Sequence, residues 1–205
     1  FDSVQYFENI RFTNKKAPSA IPEMQYSFYR FIIAINHFND EMTLIENSQA
    51  HEVSRVSEIE TIINAQSFNT QKFEIVGKET SNCNNEDFKE HVTKAKAHCK
   101  RGDVFQLVLS RQFQQEFKGD EFNVYRALRS INPSPYLFYF DYGNFKLMGS
   151  SPEAQIKIAA GKATINPIAG TFRRTGDMSE DIKLGKKLSE DKKETAEHVM
   201  LVDLA

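Results

Sequence analysis

Two glutamates and one glycine-bearing bend carry the chemistry that this chain spells out. Glu194 and Glu197 stand three apart in KETAEHVMLVDLA at 193–205. On a helix that spacing puts both on one face, with Cβ atoms about 5–6 Å apart. Leu201 shares the face, and the run 199–202 is apolar all round, the pattern of a buried helix. Carboxylates directed into an interior repel, and one takes up a proton unless a cation lies between them. A hard divalent ion, Mg²⁺ above all, uses one or two carboxylates with water and substrate oxygens. Two other readings stay open. Asp191-x-x-Glu194 resembles a capping box with Asp in place of Ser or Thr, and the Glu/Lys mixture also suits a solvated face.

The bend is TINPIAGTFRRTG at 164–176. Ala163, Ile165 and Ile168 make a strand pattern that Pro167 and Gly170 interrupt, and Thr171, Arg173, Arg174 and Gly176 follow. Proline fixes φ and removes an N–H, while glycine lets backbone amides approach a ligand with no Cβ in the way. A strand broken in this manner exposes unpaired N–H groups, and a basic pair beside them favours an anion. The alternative is a hairpin exit with two solvated arginines.

PIAGT followed by KETAEHVMLVDLA resembles the chorismate-utilising enzymes, and among them the anthranilate synthase component I family. GDVFQLVLSR at 102–111, NPSPYLF at 132–138 and GSSPE at 149–153 support the resemblance, which runs from VQYFENI at 4–10 onward. It implies an α+β fold of antiparallel sheets packed orthogonally and flanked by helices, with the active site between the sheets. It implies a Mg²⁺-dependent lyase: ammonia adds to the chorismate ring, pyruvate leaves, and anthranilate, the first committed intermediate of tryptophan biosynthesis, results. Glu194 and Glu197 would hold the metal, which would neutralise the ring carboxylate. Ala169, Gly170 and Thr171 would line the substrate, with Thr171 and Gln106 as catalytic positions. Relatives that activate water carry a lysine where Gln106 stands, and an amide is no base, so the residue favours amination. Aminodeoxychorismate synthase carries a lysine where Ala169 stands, and alanine closes that covalent route. Asn132, Pro133, Ser134, Pro135, Tyr136 and Leu137 match the pocket where tryptophan inhibits, with Leu137 in place of the usual methionine, a swap that preserves volume. From its residues alone, NPSPY is a rigid turn. A glutamine amidotransferase subunit would deliver the ammonia. The alternatives are aminodeoxychorismate synthase component I and a non-catalytic module that binds tryptophan or chorismate.

The elements that must position these residues follow from periodicity and punctuation. The pattern predicts a short helix over 1–10 and a loop over 14–23. It then predicts a hairpin from 26–38 and 41–46, and an amphipathic helix over 51–65 with Val53, Val56, Ile59 and Ile63 on one stripe. After a polar stretch to Gln71, a strand near 73–76 and a polar loop at 80–85 lead to a helix over 87–100. A near-continuous apolar strand is predicted over 104–113, where Gln106 must either tie down backbone or face a cavity. A helix over 122–131 precedes strands at 136–142 and 145–149. A third hairpin joins 154–158 to 163–168 around Ala160-Gly161. Antiparallel hairpins interleaved with helices indicate α+β rather than parallel βαβ alternation. The division predicted is 1–80 as part of an N-terminal subdomain and 81–205 as the first part of a chorismate-binding domain.

The chain has 205 residues, 40% of them hydrophobic, and a formal charge of −2. That charge argues against nucleic acid or an anionic membrane as main partner, and no apolar run approaches a membrane span. Cys83 and Cys99 lack metal-ligand and CxxC spacing, which suits unreactive thiols in the cytoplasm. His37, His51, His91 and His98 are scattered and receive no role. The chain opens without methionine and stops inside an apolar helical run, so it is expected to be an internal piece of a longer protein, inactive alone. In the family an Arg-Asn-Asp would continue it.

Overall fold

In the computed structural model, residues 2–10, 21–65 and 72–205 are described. Most of the loop expected at 14–23, and the polar stretch to Gln71, lie outside them. The chain divides into two compact units, Phe1–Thr70 and Gln71–Ala205. Helices alternate with four antiparallel two-stranded ladders, an α+β arrangement.

The first unit opens with a 3₁₀ turn, Asp2–Tyr6, where a short helix is expected. Strands β1 (Phe31–Asn36) and β2 (Glu41–Glu46) pair as a hairpin in a register running from Phe31↔Glu46 to Asn36↔Glu41. The Asn36 side chain accepts from Phe38 N–H at 3.0 Å, and Asp40 takes φ 54°, the left-handed conformation that Asp tolerates in turns. Helix α1 (Val56–Asn64) starts later than its apolar stripe suggests. The cause is Glu46, whose side chain is only 7% exposed. Its carboxylate accepts from Ser54 Oγ at 2.6 Å, from Arg55 N–H at 3.1 Å and from Arg30 Nη2 at 3.1 Å. Ser54 and Arg55 are drawn to that carboxylate instead of joining the helix.

In the second unit β3 (Glu74–Ser81) is longer than the strand expected there, and residue 80 lies within it. Gly77 at φ 73° sits at its register shift. Helix α2 (Asn85–Arg101) follows, capped by the Asn84 side chain, which accepts from Asp87 N–H at 2.8 Å, and closed by Gly102 at φ 77°. The return strand β4 is Phe113–Lys118, antiparallel to β3. This corrects the strand expected over 104–113. Residues 104–112 are irregular, and Phe105 and Val108 are about 85% exposed. A strand apolar on both faces needs a neighbour on each side, and among the described residues this segment is bonded to a strand neighbour only at its end, between Gln112 and Asn82.

Helix α3 (Phe122–Ile131) leads into β5 (Tyr136–Asp141) and β6 (Lys146–Ser151), which pair from Tyr136↔Ser151 to Asp141↔Lys146. The start of α3 is tied to this hairpin by Glu121, which accepts from Tyr139 Oη at 3.1 Å and lies 3.6 Å from Lys146 Nζ. Phe122 meets Tyr139 edge to face at 5.0 Å. The ring of Phe138 lies over Gly149 across the ladder, where a Cβ would come within 2.5 Å of it. The last hairpin, β7 (Lys157–Ala159) and β8 (Lys162–Thr164), is shorter than expected. It turns at Ala160-Gly161, both at positive φ (48° and 73°), as tight hairpin turns require.

Two helices end the chain, α4 (Met178–Glu190) and α5 (Lys192–Leu204), and they pack together. Periodicity alone did not predict α4, although Asp177 followed by Glu180 is a capping pattern and Leu184 and Leu188 lie one turn apart. Among the described residues no side chain is fully buried. The run 199–202, expected in a core, leaves Val199 60% and Val202 53% exposed.

Hydrogen bonds from Ser54, Arg55 and Arg30, outweighing partial burial, hold the Glu46 carboxyl below the ordinary glutamate range. A depressed carboxyl contributes stability that is present above its unfolded pKa and is lost as pH falls through the folded one. Glu46→Gln is therefore expected to lower the thermal midpoint of the intact protein at neutral pH. Its deficit against wild type should shrink as pH falls below the ordinary glutamate range, measured by circular dichroism melts across that window.

Candidate active site

The bend and the acidic helix meet. Asp191 is at once the residue that ends α4 and the N-cap of α5. Its Oδ1 accepts from Lys193 N–H at 2.9 Å and from Glu194 N–H at 3.1 Å, and its carbonyl accepts from Thr195 N–H at 2.9 Å. The reciprocal half of a capping box would send the Glu194 side chain back to Asp191 N–H. That N–H instead donates to Leu188 O at 3.3 Å. The cap is thus made by Asp191, and the Glu194 carboxylate is left for something else.

What it meets is Gly170. A Cβ built on Gly170 would overlap the Glu194 carboxylate, so only glycine admits the acid against the backbone there. The Glu194 side chain is 18% exposed, and its closest cation is Lys193 Nζ at 3.5 Å, itself 83% exposed. Such an exposed lysine gives little net attraction. Glu197, Met200 and Leu201 are half-buried, while His198, Val199 and Val202 are exposed. One face of α5 therefore turns inward, and both glutamates are on it. Glu197 has no hydrogen bond or ion pair among the described residues.

Ala169 and Gly170 are half-buried and Thr171 is exposed. Beyond the bend, Arg174 Nε donates to Asp181 Oδ2 at 2.9 Å, while Thr175 N–H and Oγ1 donate to Asp181 Oδ1 at 2.7 and 3.0 Å. Phe172, Arg173, Met178, Ile182 and Leu188 line one recess of about 360 Å³ beside this clamp. The sequence reading passed over Asp181; its signal was the capping pattern that opens α4.

The other predicted residues lie elsewhere in the same unit. Gln106 is exposed on the irregular 104–112 segment rather than on a strand. Asn132 ends α3, its N–H donating to Leu128 O at 2.8 Å and its carbonyl accepting from Ser150 Oγ at 2.6 Å. That bond joins NPSPY to GSSPE. Pro133, Pro135 and Tyr136 are exposed, whereas Ser134 and Leu137 are half-buried. Cys83 and Cys99 are free thiols. No helix among the described residues is long and apolar enough to cross a membrane.

As a metal centre the pair fits one kind of ion. Among the described residues no three His, Cys, Asp or Glu side chains gather as a ligand set. Zinc takes such sets, whereas Mg²⁺ is held by one or two carboxylates and fills its octahedron with water and substrate oxygens. Glu194 and Glu197, at helical spacing on the half-buried face of α5 with Glu194 against Gly170, match the second pattern.

The family described as chorismate binding enzyme matches residues 1–205, and the chain belongs to it. Among its members the chain is similar to anthranilate synthase component 1. It is 36% identical to that of Acetivibrio thermocellus and 35% identical to that of Aquifex aeolicus, in each case over 100% of this chain and 44% of the relative. The crystal structure of anthranilate synthase component I from Streptococcus pneumoniae superposes with a TM-score of 0.65 at 30% identity, covering 86% of this chain and 40% of that one. The chain thus spans less than half the length of these relatives.

Gly170→Ala is expected to expel the Glu194 carboxylate from its seat, visible in a crystal structure of the variant. Gly185→Ala is the control. A Cβ there meets nothing within 4 Å, so alanine should stabilise α4 by about 0.5–1 kcal/mol in denaturant melts.

Proposed function

We propose that the intact protein is an anthranilate synthase component I, converting chorismate and ammonia to anthranilate and pyruvate. The observation that carries this reading is the seat of Glu194 against Gly170, which sets an acid of α5 on the bend that resembles the family's substrate loop. The identity of the similar chains supports the same assignment.

In this reading Glu194 and Glu197 hold Mg²⁺, which supplies positive charge to bind and orient the ring carboxylate of chorismate. Gly170 offers its backbone to the substrate at a point where any side chain would collide with Glu194. Thr171, exposed next to it, offers its hydroxyl to the substrate. Ala169 carries no amine, so the ring is not captured by this position, and free ammonia remains the nucleophile. Gln106 offers no base to activate water, which favours amination over hydration. Tryptophan inhibits at the turn 132–137, where the hydrogen bond from Ser150 to Asn132 holds the NPSPY backbone on the hairpin. A glutamine amidotransferase subunit supplies ammonia, and the protein works in the cytoplasm. Residues 1–205 alone turn over no chorismate, because further substrate-gripping groups belong to the rest of the polypeptide.

The test is an assay of the intact protein with chorismate, an ammonium salt and Mg²⁺, following anthranilate fluorescence. Glu194→Gln and Glu197→Gln should each lower the rate by about a hundredfold or more, since substitutions even one shell further from a metal cost 10–100-fold. An aminated product that retains pyruvate would assign the protein to aminodeoxychorismate synthesis instead. Wild-type activity indifferent to chelation would remove the metal from the mechanism.

A further inference from the structure

Asp181 lies on the first turn of α4, outside every motif singled out above, yet its carboxylate does more than a surface acid does. The side chain is 12% exposed, while its partner Arg174 is 86% exposed. Oδ1 takes both the backbone N–H and the hydroxyl of Thr175, at 2.7 and 3.0 Å, and Oδ2 takes Arg174 Nε at 2.9 Å. A bare Arg–Asp pair on a surface contributes little, but a backbone N–H captured by a half-buried carboxylate oxygen fixes main-chain position. The neighbouring residues strengthen the grip. Thr175 Oγ1 accepts from Asp177 N–H at 3.2 Å, and Asp177 caps α4 by accepting from Glu180 N–H at 2.9 Å.

These bonds close a ring. The chain leaves the Gly170–Thr171 bend, is pinned at Thr175 to Asp181 on α4, follows α4 to the shared cap at Asp191, enters α5, and returns through Glu194 to Gly170. Each joint is a carboxylate or a close contact. The segment 171–174 has no backbone hydrogen bond of its own among the described residues. Its position is therefore set by its two ends, the contact at Gly170 and the clamp at Thr175.

We propose that Asp181 is a positioning residue for the chorismate and metal site: its carboxylate holds the segment leaving the bend on α4 and so keeps Gly170 and Thr171 set against Glu194. This rests on the function proposed above, but one of its readouts does not. Hydrogen bonds from Thr175 and Arg174 hold the Asp181 carboxyl below the ordinary aspartate range, so it stays ionised across the working pH.

The experiment uses the intact protein, wild type, Asp181→Ala and Asp181→Asn. In metal-free protein without substrate, amide hydrogen exchange at Thr175, whose N–H bonds Asp181, should quicken about tenfold in Asp181→Ala, with α2 unchanged as the sign of intact fold. In the assay, KM for chorismate and the Mg²⁺ concentration at half-maximal rate should rise about fivefold or more, with kcat changing less. Asp181→Asn keeps an oxygen for Thr175 but loses the charge for Arg174, so it should fall between; it also replaces Asp181→Ala if that variant does not fold. Unchanged exchange at Thr175 would overturn the clamp. A drop in kcat with KM and metal dependence unmoved would reduce Asp181 to a merely structural acid. Loss of metal dependence in wild type would instead count against the proposed function, while the exchange result would still decide whether Asp181 holds the segment.

Discussion

Ionised carboxylates that each gather several donors are what join the elements of this chain. Ordinarily buried apolar area does that work, at about 25 cal/mol per Å² removed from water. Here no described side chain is fully buried, and large hydrophobics such as Phe105, Val108 and Ile131 are more than four-fifths exposed. Directional bonds must therefore define where one element sits on the next. Glu46 pulls Ser54, Arg55 and Arg30 onto the end of β2, Glu121 ties the start of α3 to Tyr139, and Asp181 pins the segment after the bend to α4. In each case one acid accepts from donors on two different residues, and a single charge ties together segments that apolar packing leaves apart.

The same economy explains how an acid becomes available for a ligand. A glutamate at the third position of a helix is normally spent on the cap. In α5 the cap is completed by Asp191, and the N–H that Glu194 would have bonded is taken by Leu188 of the preceding helix. Two helices meeting at one aspartate thus free the next acid. Gly170 then decides where it goes, because any larger residue would occupy the seat. The helical spacing of Glu194 and Glu197 matters only once this has happened, since it then carries the second acid to the same face.

How much of this could be read beforehand varies with the range of the forces involved. Hairpin turns and helix caps are local, and they were legible: Ala160-Gly161 turns β7 into β8, α3 runs over 122–131 as its stripe says, and Glu194 and Glu197 share one face of α5. Where a distant carboxylate intervened, the pattern misled. The apolar stripe from Val53 suggested a helix from 51, but Glu46 captures Ser54 and Arg55 and delays it to Val56. Helix α4 was missed because its inward face is carried by Asp181, Leu184 and Leu188, so an acid stands where a stripe would show a hydrophobe. The clamp on Thr175 is a contact between an acid and a main-chain N–H six residues earlier, and no spacing rule announces it.

The segment 104–112 shows the limit of that reading from the other side. Its near-continuous apolar character is that of a central strand, and composition alone gives no way to distinguish a strand that has neighbours from one whose neighbours are supplied by other parts of a polypeptide. The hydrogen bonds between Asn82 and Gln112 carry the β3–β4 ladder one step further, and Arg111 is spent on Ser81 and Asn85 at 2.9 and 2.7 Å, so the order ends there. Leu107 and Leu109 instead face the α2 residues Val92, Ala95 and Cys99 across a groove of about 870 Å³. An amide such as Gln106 acquires a defined direction only when strands flank it, because a lone extended segment leaves both of its faces to solvent. The acids of α5 need no such completion. The seat of Glu194 is set within the ring that runs from Gly170 through α4 and back, so the acidic face of α5 is the part of the candidate site that this stretch of sequence specifies by itself.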